Sequence, residues 1–213
     1  ARENISLFFV RADASGRGES VEHAVARLRL DPSVEYAQPN YQYGFEEIAS
    51  DDLSRGELWG LDNVGQEVNG TVGTEDADID APEAWAVNEG TNADVIVAVI
   101  DSGVAFNHPD LSASMWNGLL CFDDAGAPLG GCNSGYDFED DDLTPLPTTS
   151  FHGTHVAGTI AAAKDNAEGV MGVAPNAKIM ALKSSLTTAE IVRAMSFAAF
   201  NGATVVNASW GGG

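Results

Sequence analysis

Asp101 and His152 are two residues of types that can cooperate in proton transfer. Asp101 ends the run VIVAVID (95–101), and an unbroken apolar run of this length predicts a strand that is buried on both faces. A carboxylate in such a position is costly to bury unless a partner donates a hydrogen bond to it. His152 begins HGTHVAGTIAAA, whose spacing predicts a helix. If the two side chains meet, the carboxylate orients the imidazole, which can then take a proton from a hydroxyl nucleophile.

A second histidine, His155, lies on the same short segment, so the residues alone leave open which imidazole would act as the base. The HxxH spacing also suggests zinc, but zinc proteases place their two histidines four residues apart with a glutamate between them. Gly153 and Thr154 fill the gap here, so we do not expect zinc.

The elements that must position these residues alternate between strand and helix. After the helix at His152, the pattern predicts a strand at 177–182, a helix at 188–200 and a strand at 203–209. Such alternation implies a parallel sheet with right-handed crossovers. Sites in open α/β sheets form outside the carboxyl ends of the strands, where Asp101 would lie.

The N-terminal part has a different organisation. We predict a strand at 5–12, a helix at 20–30 with Ser20 as N-cap, and a strand at 34–43. An acidic, polar linker follows at 46–57, then irregular chain at 59–75 and a short helix with Asp80 as N-cap. Residues 104–150 are rich in Asp, Gly and Pro, which indicates loops with short strands.

The composition excludes several partners. The chain has 213 residues, with 32 acidic against 10 basic side chains and a net charge of −22, which argues against nucleic-acid binding. The charge fits either a highly solvated surface or adaptation to a salty or calcium-containing medium. No apolar run reaches transmembrane length, so no membrane partner is expected. Cys121 and Cys132 are either a disulfide formed in an oxidising compartment or two free thiols.

Four motifs occur in order: VIVAVIDSGV with NHPDL, FHGTHVAGTIAA, GVMGVAPNAKIMALK and ATVVNASWGGG. Together they resemble the successive signatures of subtilisin-like serine proteases. The resemblance implies an α/β parallel-sheet subtilisin-like fold, incomplete at its C-terminal end, with Asp101 as the triad acid and His152 as the base. It also implies that His155 is structural, packed under the helix. The nucleophilic serine of the family would lie beyond Gly213.

The resemblance also assigns a substrate-binding segment. NASWGGG matches the family's substrate-binding strand, so Ser209, Trp210 and Gly211 would line the pocket and pair with an extended peptide by strand addition. Core packing remains the alternative for Trp210.

Calcium is the cofactor that the sequence predicts. The segment 137–144 is too acidic to hold together unless it is solvated or binds a hard cation. It resembles a calcium loop of thermitase-like members, with ligands from Asp137, Asp140, Asp142 and Thr144. A second implied site has the following ligands: Asp110, the side chain of Asn166, the carbonyls of Lys164, Glu168 and Val170, and Asp51.

The resemblance divides the chain into a small α+β propeptide remnant at 1–45, a processing region at 46–57 and the N-terminal part of a catalytic domain at 58–213. The expected function is that of a secreted, calcium-stabilised serine endopeptidase, with polypeptide substrates and its own propeptide as partners. Because the nucleophile is not in this sequence, we expect the chain alone to be inactive. The alternative is a non-catalytic fragment that acts as a peptide-binding or inhibitory module.

Overall fold

The computed structural model describes residues 20–34, 37, 55–88 and 95–211. The chain forms two compact units, Ala1–Gly44 and Phe45–Gly213, which are described separately. The predicted strand at 5–12, most of the one at 34–43 and the proposed ligand Asp51 lie outside the described residues.

In the first unit, helix α1 spans Val21–Leu28. The Ser20 side chain accepts a hydrogen bond from the backbone N–H of His23 at 3.3 Å, so the predicted N-cap is confirmed. Past the helix end, the Asp31 carboxylate accepts hydrogen bonds from the backbone N–H and the hydroxyl of Ser33. These local bonds replace helical ones and turn the chain.

The second unit begins with elements that were only partly predicted. Strands β1 (Glu67–Val68) and β2 (Thr71–Val72) form a small antiparallel hairpin where irregular chain was expected. Its turn residues, Asn69 and Gly70, both have positive φ, as an Asn-Gly hairpin turn requires. Helix α2 (Ala81–Val87) starts after Asp80 as predicted, but Asp80 is left-handed and its side chain makes no cap bond.

A four-stranded parallel sheet carries the rest of this unit. Its strands, in chain order, are β3 (Ile96–Asp101), β4 (Gly135–Asp137), β5 (Lys178–Lys183) and β6 (Val205–Asn207). Their order across the sheet is β4-β5-β3-β6, which puts β3 between β5 and β6. Helices α3 (His152–Ala161) and α4 (Thr188–Phe200) connect the strands. The predicted parallel α/β architecture is therefore confirmed.

The helices cover opposite faces of this sheet, and alternate residues of β3 supply the two cores. Ala98 and Ile100 pack with Phe197 of α4. Val97 and Val99 pack with α3, where Ala157 is fully buried. This two-sided burial explains why β3 is an unbroken apolar run. None of the helices in the described ranges is long and apolar enough to cross a bilayer.

A disulfide joins Cys121 and Cys132, with 5.9 Å between their Cα atoms. Both cysteines are buried in the core on the α4 side of the sheet. Of the two alternatives left open by the sequence, the bonded pair is the one observed.

Candidate active site

The side chains of Asp101 and His152 are in contact. Nδ1 of His152 lies 2.9 Å from both carboxylate oxygens of Asp101. The Asp101 side chain is 4% exposed, whereas the His152 side chain is 54% exposed. One imidazole nitrogen is therefore held by a buried carboxylate, while the rest of the ring lies on the exposed side of the pair.

Hydrogen bonds between the end of β3 and the start of α3 position Asp101 and His152 for this contact. Asp101 is the last residue of β3, and its Oδ1 accepts a hydrogen bond from the backbone N–H of Ser102 at 2.7 Å. The Ser102 hydroxyl accepts from the backbone N–H of Gly153 at 3.1 Å and donates to the Ser150 carbonyl at 3.0 Å. The first turn of α3 is thus tied directly to the end of β3, which places His152 over Asp101.

Two glycines allow this close approach. A Cβ at Gly153 would lie 2.5 Å from the carbonyl oxygen of Gly103 and 2.9 Å from Cβ of Asp101. Gly103 itself has a φ of +97°, and a Cβ there would lie 2.8 Å from the backbone of Leu146 and Pro147. Neither position accepts a larger side chain without moving backbone. From the sequence, Gly153 was identified only as a spacer between the two histidines, so its role in this close approach was missed.

His155 does not behave as expected. Its side chain is exposed among the described residues rather than packed under α3, so that expectation is wrong. It lies one turn along α3 from His152, on a helix whose buried positions are Gly153, Ala157 and Ala161. The sheet-facing side of α3 is therefore occupied by small residues. No group of three or more His, Cys, Asp or Glu side chains among the described residues is arranged to hold a metal ion.

The segment after β6 lies beside β3. The indole Nε1 of Trp210 donates to the carbonyl of Ile100 at 2.7 Å, and the ring packs on the α4-side core. For the Trp210 ring, core packing is therefore what the structure shows. Ser209 and Gly211 are exposed, and the Ser209 hydroxyl bonds to Oδ1 of Asn207 at 2.8 Å. Substrate binding by this segment stays a prediction.

The first predicted calcium loop is organised around a lysine. Nζ of Lys183, at the end of β5, lies 2.8 Å from Oδ2 of Asp137 and 3.2 Å from carboxylate oxygens of Glu139 and Asp140. Burial by itself would lower the pKa of Lys183, but the hydrogen bonds to these carboxylates outweigh it and leave that pKa raised.

The remaining predicted ligands of this loop are also engaged. Oδ1 of Asp137 accepts the backbone N–H groups of Glu139 and Asp140, and Oδ1 of Asp142 accepts that of Thr144. The carboxylates of Asp137, Glu139 and Asp140 therefore converge on Nζ of Lys183, whereas that of Asp142 is held by the backbone of its own loop. Calcium binding by Asp137, Asp140, Asp142 and Thr144 stays a prediction. Spacing along the loop could not reveal the lysine at the centre of this cluster, because Lys183 is distant in sequence.

The second predicted calcium loop has a different arrangement. The Asp110 side chain is buried, and Oδ1 accepts the Asn166 amide at 3.0 Å while Oδ2 accepts the backbone N–H of Val170 at 3.0 Å. Asp165, Ala167 and Gly169 all have positive φ, so the loop curls around Asp110. The structure thus brings Asp110, Asn166 and the 164–170 backbone together. The side-chain oxygen of Asn166 accepts the backbone N–H of Glu168 at 3.0 Å, so the amide would have to turn over to present that oxygen at this point.

A cavity of about 390 Å³ borders this second loop. Lys164, Asp165, Lys178 and Trp85 contribute to its wall, whereas Asp101 and His152 do not. The Asp101–His152 pair thus belongs to a separate, open part of the surface.

The sequence that carries this site is similar to that of a known protein family. The model of the subtilase family matches residues 92–213, which is more than half of the chain. The chain belongs to the subtilase family. The resemblance carried by the four motifs is thereby confirmed, and the matched region contains Asp101, His152 and both predicted calcium loops.

Individual relatives agree with this assignment. The subtilase is 35% identical over 197 residues to the thermophilic serine proteinase of Bacillus sp. (strain AK1), a match that covers 90% of this chain and 41% of that protein. It is 38% identical over 139 residues to thermitase of Thermoactinomyces vulgaris, covering 63% of this chain and 43% of thermitase. The chain therefore spans about two fifths of the length of these relatives.

The solved structures include the serine protease of Aeromonas sobria in complex with its chaperone. It superposes with a TM-score of 0.62 at 26% identity, covering 83% of this chain and 29% of that one. The parallel sheet and its helices are thus those of a subtilisin-like fold.

Proposed function

We propose that this subtilase is a secreted, calcium-stabilised serine endopeptidase. In this proposal it acts through Asp101, His152 and a serine supplied by sequence that follows Gly213. The observation that carries the proposal is the 2.9 Å contact between Nδ1 of His152 and the buried carboxylate of Asp101. A hydrogen-bonded acid and imidazole, with the imidazole half exposed, are the two groups that activate a hydroxyl nucleophile.

The roles of the two residues follow from their surroundings. Asp101 accepts the Nδ1 proton, which fixes the tautomer and leaves Nε2 as the proton acceptor. Nε2 then takes the proton of the serine hydroxyl as the oxygen attacks the peptide carbonyl, and later returns it to the leaving amine. Because Asp101 is buried, its negative charge acts in a low dielectric, where it stabilises the imidazolium strongly.

Polypeptides are the proposed substrates. The exposed chain at Ser209 and Gly211 directly follows β6, which pairs in parallel with β3. Its backbone offers an edge to which an extended peptide can add as a strand close to Asp101. Trp210 would support this edge from below through its bond to Ile100.

Calcium is proposed at the loop around Asp110. Asp110, the Asn166 side chain and the carbonyls of Lys164, Glu168 and Val170 would hold it, and these are the oxygen donors that calcium prefers. The ion, when bound, supplies positive charge beside a buried carboxylate whose observed partners are neutral N–H groups. Asp51, the remaining proposed ligand, lies outside the described residues.

The N-terminal unit is proposed as a propeptide remnant that inhibits the enzyme until it is removed. Its support is the similarity of residues 21–44 to the second half of a subtilase propeptide. The expected consequence is that unprocessed protein hydrolyses peptides more slowly than processed protein. Secretion is supported by the Cys121–Cys132 disulfide, since such bonds persist in oxidising compartments.

The test replaces His152 in the full protein. His152→Ala should lower kcat for casein-derived peptides by a factor of at least ~1,000, since subtilisin itself loses far more when its triad histidine is removed. His155→Ala is the matched control, because His155 lies on the same helix and is exposed. A serine-directed fluorophosphonate probe should label the parent and the control but not the His152 variant.

Two results would count against the proposal. Equal turnover by the parent protein and the His152 variant would remove the imidazole from the mechanism. Absence of labelling and of turnover in the parent protein, together with tight peptide binding, would favour the peptide-binding or inhibitory module.

A further inference from the structure

We infer that Lys183 is the resident cation of the acidic loop 137–144 and occupies the place that a calcium ion would need there. The ammonium group has three N–H donors, and three carboxylates lie within 3.2 Å of it, those of Asp137, Glu139 and Asp140. The inference does not depend on the chain being a protease.

Burial makes this pairing strong. Lys183 is 2% exposed and Asp137 is 1% exposed, so neither charge can be solvated by bulk water. A buried charge without a partner would be very costly, and each of these two is the other's nearest compensation. Glu139 and Asp140 are more exposed and close the cluster from the solvent side.

The same contacts exclude a divalent ion from this position. A calcium ion bound to Oδ2 of Asp137 would lie 2.3–2.6 Å from that oxygen. Lys183 Nζ already lies 2.8 Å from the same oxygen, so the two cations would be no more than about 5 Å apart. Oδ1 of Asp137 is engaged as well, by the backbone N–H groups of Glu139 and Asp140, so an ion could bind this carboxylate only by displacing one of these partners.

A second cation reinforces the loop from α4. Arg193 donates to Asp124 at 2.8 Å and to Asp141 at 2.8 Å, and its guanidinium lies 5.2 Å from the centre of the Phe138 ring. The loop therefore has two internal counter-ions, supplied by two different elements of the fold. Neither could be recognised from the acidic segment itself.

Removing the lysine should turn the loop into a metal site. In Lys183→Met the buried Asp137 carboxylate loses its cation, while Glu139 and Asp140 stay close to it. A hard divalent cation then becomes the best available compensation. Lys183→Arg keeps the positive charge and should leave the loop closed to calcium.

The experiment counts calcium per molecule by equilibrium dialysis with radioactive calcium, after removal of metal with a chelator. The full protein carrying His152→Ala is used throughout, so that self-digestion, and the outcome of the protease test, do not affect the count. Lys183→Met should bind one more calcium than the parent, and Lys183→Arg the same number. In chelator, Lys183→Met should melt lower than the parent by about 10 °C, and calcium should recover part of that loss.

Asp140→Asn and Asp142→Asn keep the inference falsifiable if Lys183→Met does not fold. Both side chains are exposed, so these variants should fold, and each should bind as many calcium ions as the parent. A loss of one ion in either variant would show that the loop itself is a calcium site and would overturn the inference. An unchanged count in folded Lys183→Met would overturn it as well.

Discussion

The two acidic loops of this subtilase neutralise a buried carboxylate in different ways. Asp137 has a lysine ammonium at 2.8 Å, whereas the observed partners of Asp110 are the Asn166 amide and the backbone N–H of Val170. Both carboxylates are almost fully buried. Because N–H donors only partly compensate a buried charge, we expect an external cation to stabilise the Asp110 loop more than the Asp137 loop. If so, the cations that the fold already provides predict metal binding better than the density of acidic residues does.

The largest effect that tests this contrast is expected at Asp110. Asp110→Asn removes the charge that would hold calcium, so the stabilisation by calcium should disappear. For an ion present at one hundred times its dissociation constant, that is a loss of about 2.7 kcal/mol in the free energy of unfolding. The measurement is thermal unfolding of the parent and the variant in chelator and in calcium.

Glu168→Gln is the control for this change, since only the carbonyl of Glu168 is a proposed ligand and its side chain is exposed. It should respond to calcium as the parent does. A full calcium response in Asp110→Asn would place the ion elsewhere and remove the contrast.

A smaller effect is expected at Arg193, the second internal cation of the Asp137 loop. Arg193→Met keeps an unbranched side chain at this position but loses the pairs with Asp124 and Asp141 and the guanidinium over the Phe138 ring. The side chains involved are 37%, 27% and 66% exposed, so solvent screens these pairs and the cost should be about 1 kcal/mol. Chemical unfolding in urea measures it.

The dependence of stability on salt concentration should distinguish the contributions of Arg193 and Lys183. The contribution of Arg193 should shrink between low salt and 1 M NaCl, while that of buried Lys183 should change little. Equal salt sensitivity of the two variants would mean that burial does not distinguish them.

The smallest expected effect is on the stability of the protein at low pH. The hydrogen bond from Arg193 holds the pKa of Asp141 below its ordinary value of 3.8, and the charge of Arg193 acts in the same direction. A carboxyl whose folded pKa is lowered contributes stability above its unfolded pKa and loses it as the pH falls through the folded value. The Asp141–Arg193 pair should therefore stabilise the protein fully above about pH 4 and progressively less below it.

Asp141→Asn should remove this part of the acid sensitivity. Melting temperatures between pH 6 and pH 2.5 should fall less steeply in the variant than in the parent. Parallel curves would show that the pair contributes nothing to acid stability, which would leave Lys183 as the only effective cation of the loop.

Much of the fold was determined by local sequence pattern. The apolar run of β3, the helix at 188–200 and the Ser20 cap follow from periodicity and hydrogen-bonding chemistry that act within a few residues. The Asn69-Gly70 hairpin could have been predicted in the same way, because that dipeptide is a strong turn signal. The cap predicted at Asp80 is not formed. The backbone of Asp80 has left-handed φ and ψ angles, and its side chain makes no hydrogen bond to α2.

Only the tertiary structure decided which charges meet. The motifs identified Asp101 and His152 as candidates, but the contact between them depends on Gly153 and Ser102 holding α3 against the end of β3. No residue near Lys183 in the sequence identifies its charge partner. The pairing of β5 with β4, which carries Asp137, brings the two side chains together. Electrostatic partners are set by distance in space and by burial, and a linear pattern encodes neither once the interacting residues come from different elements.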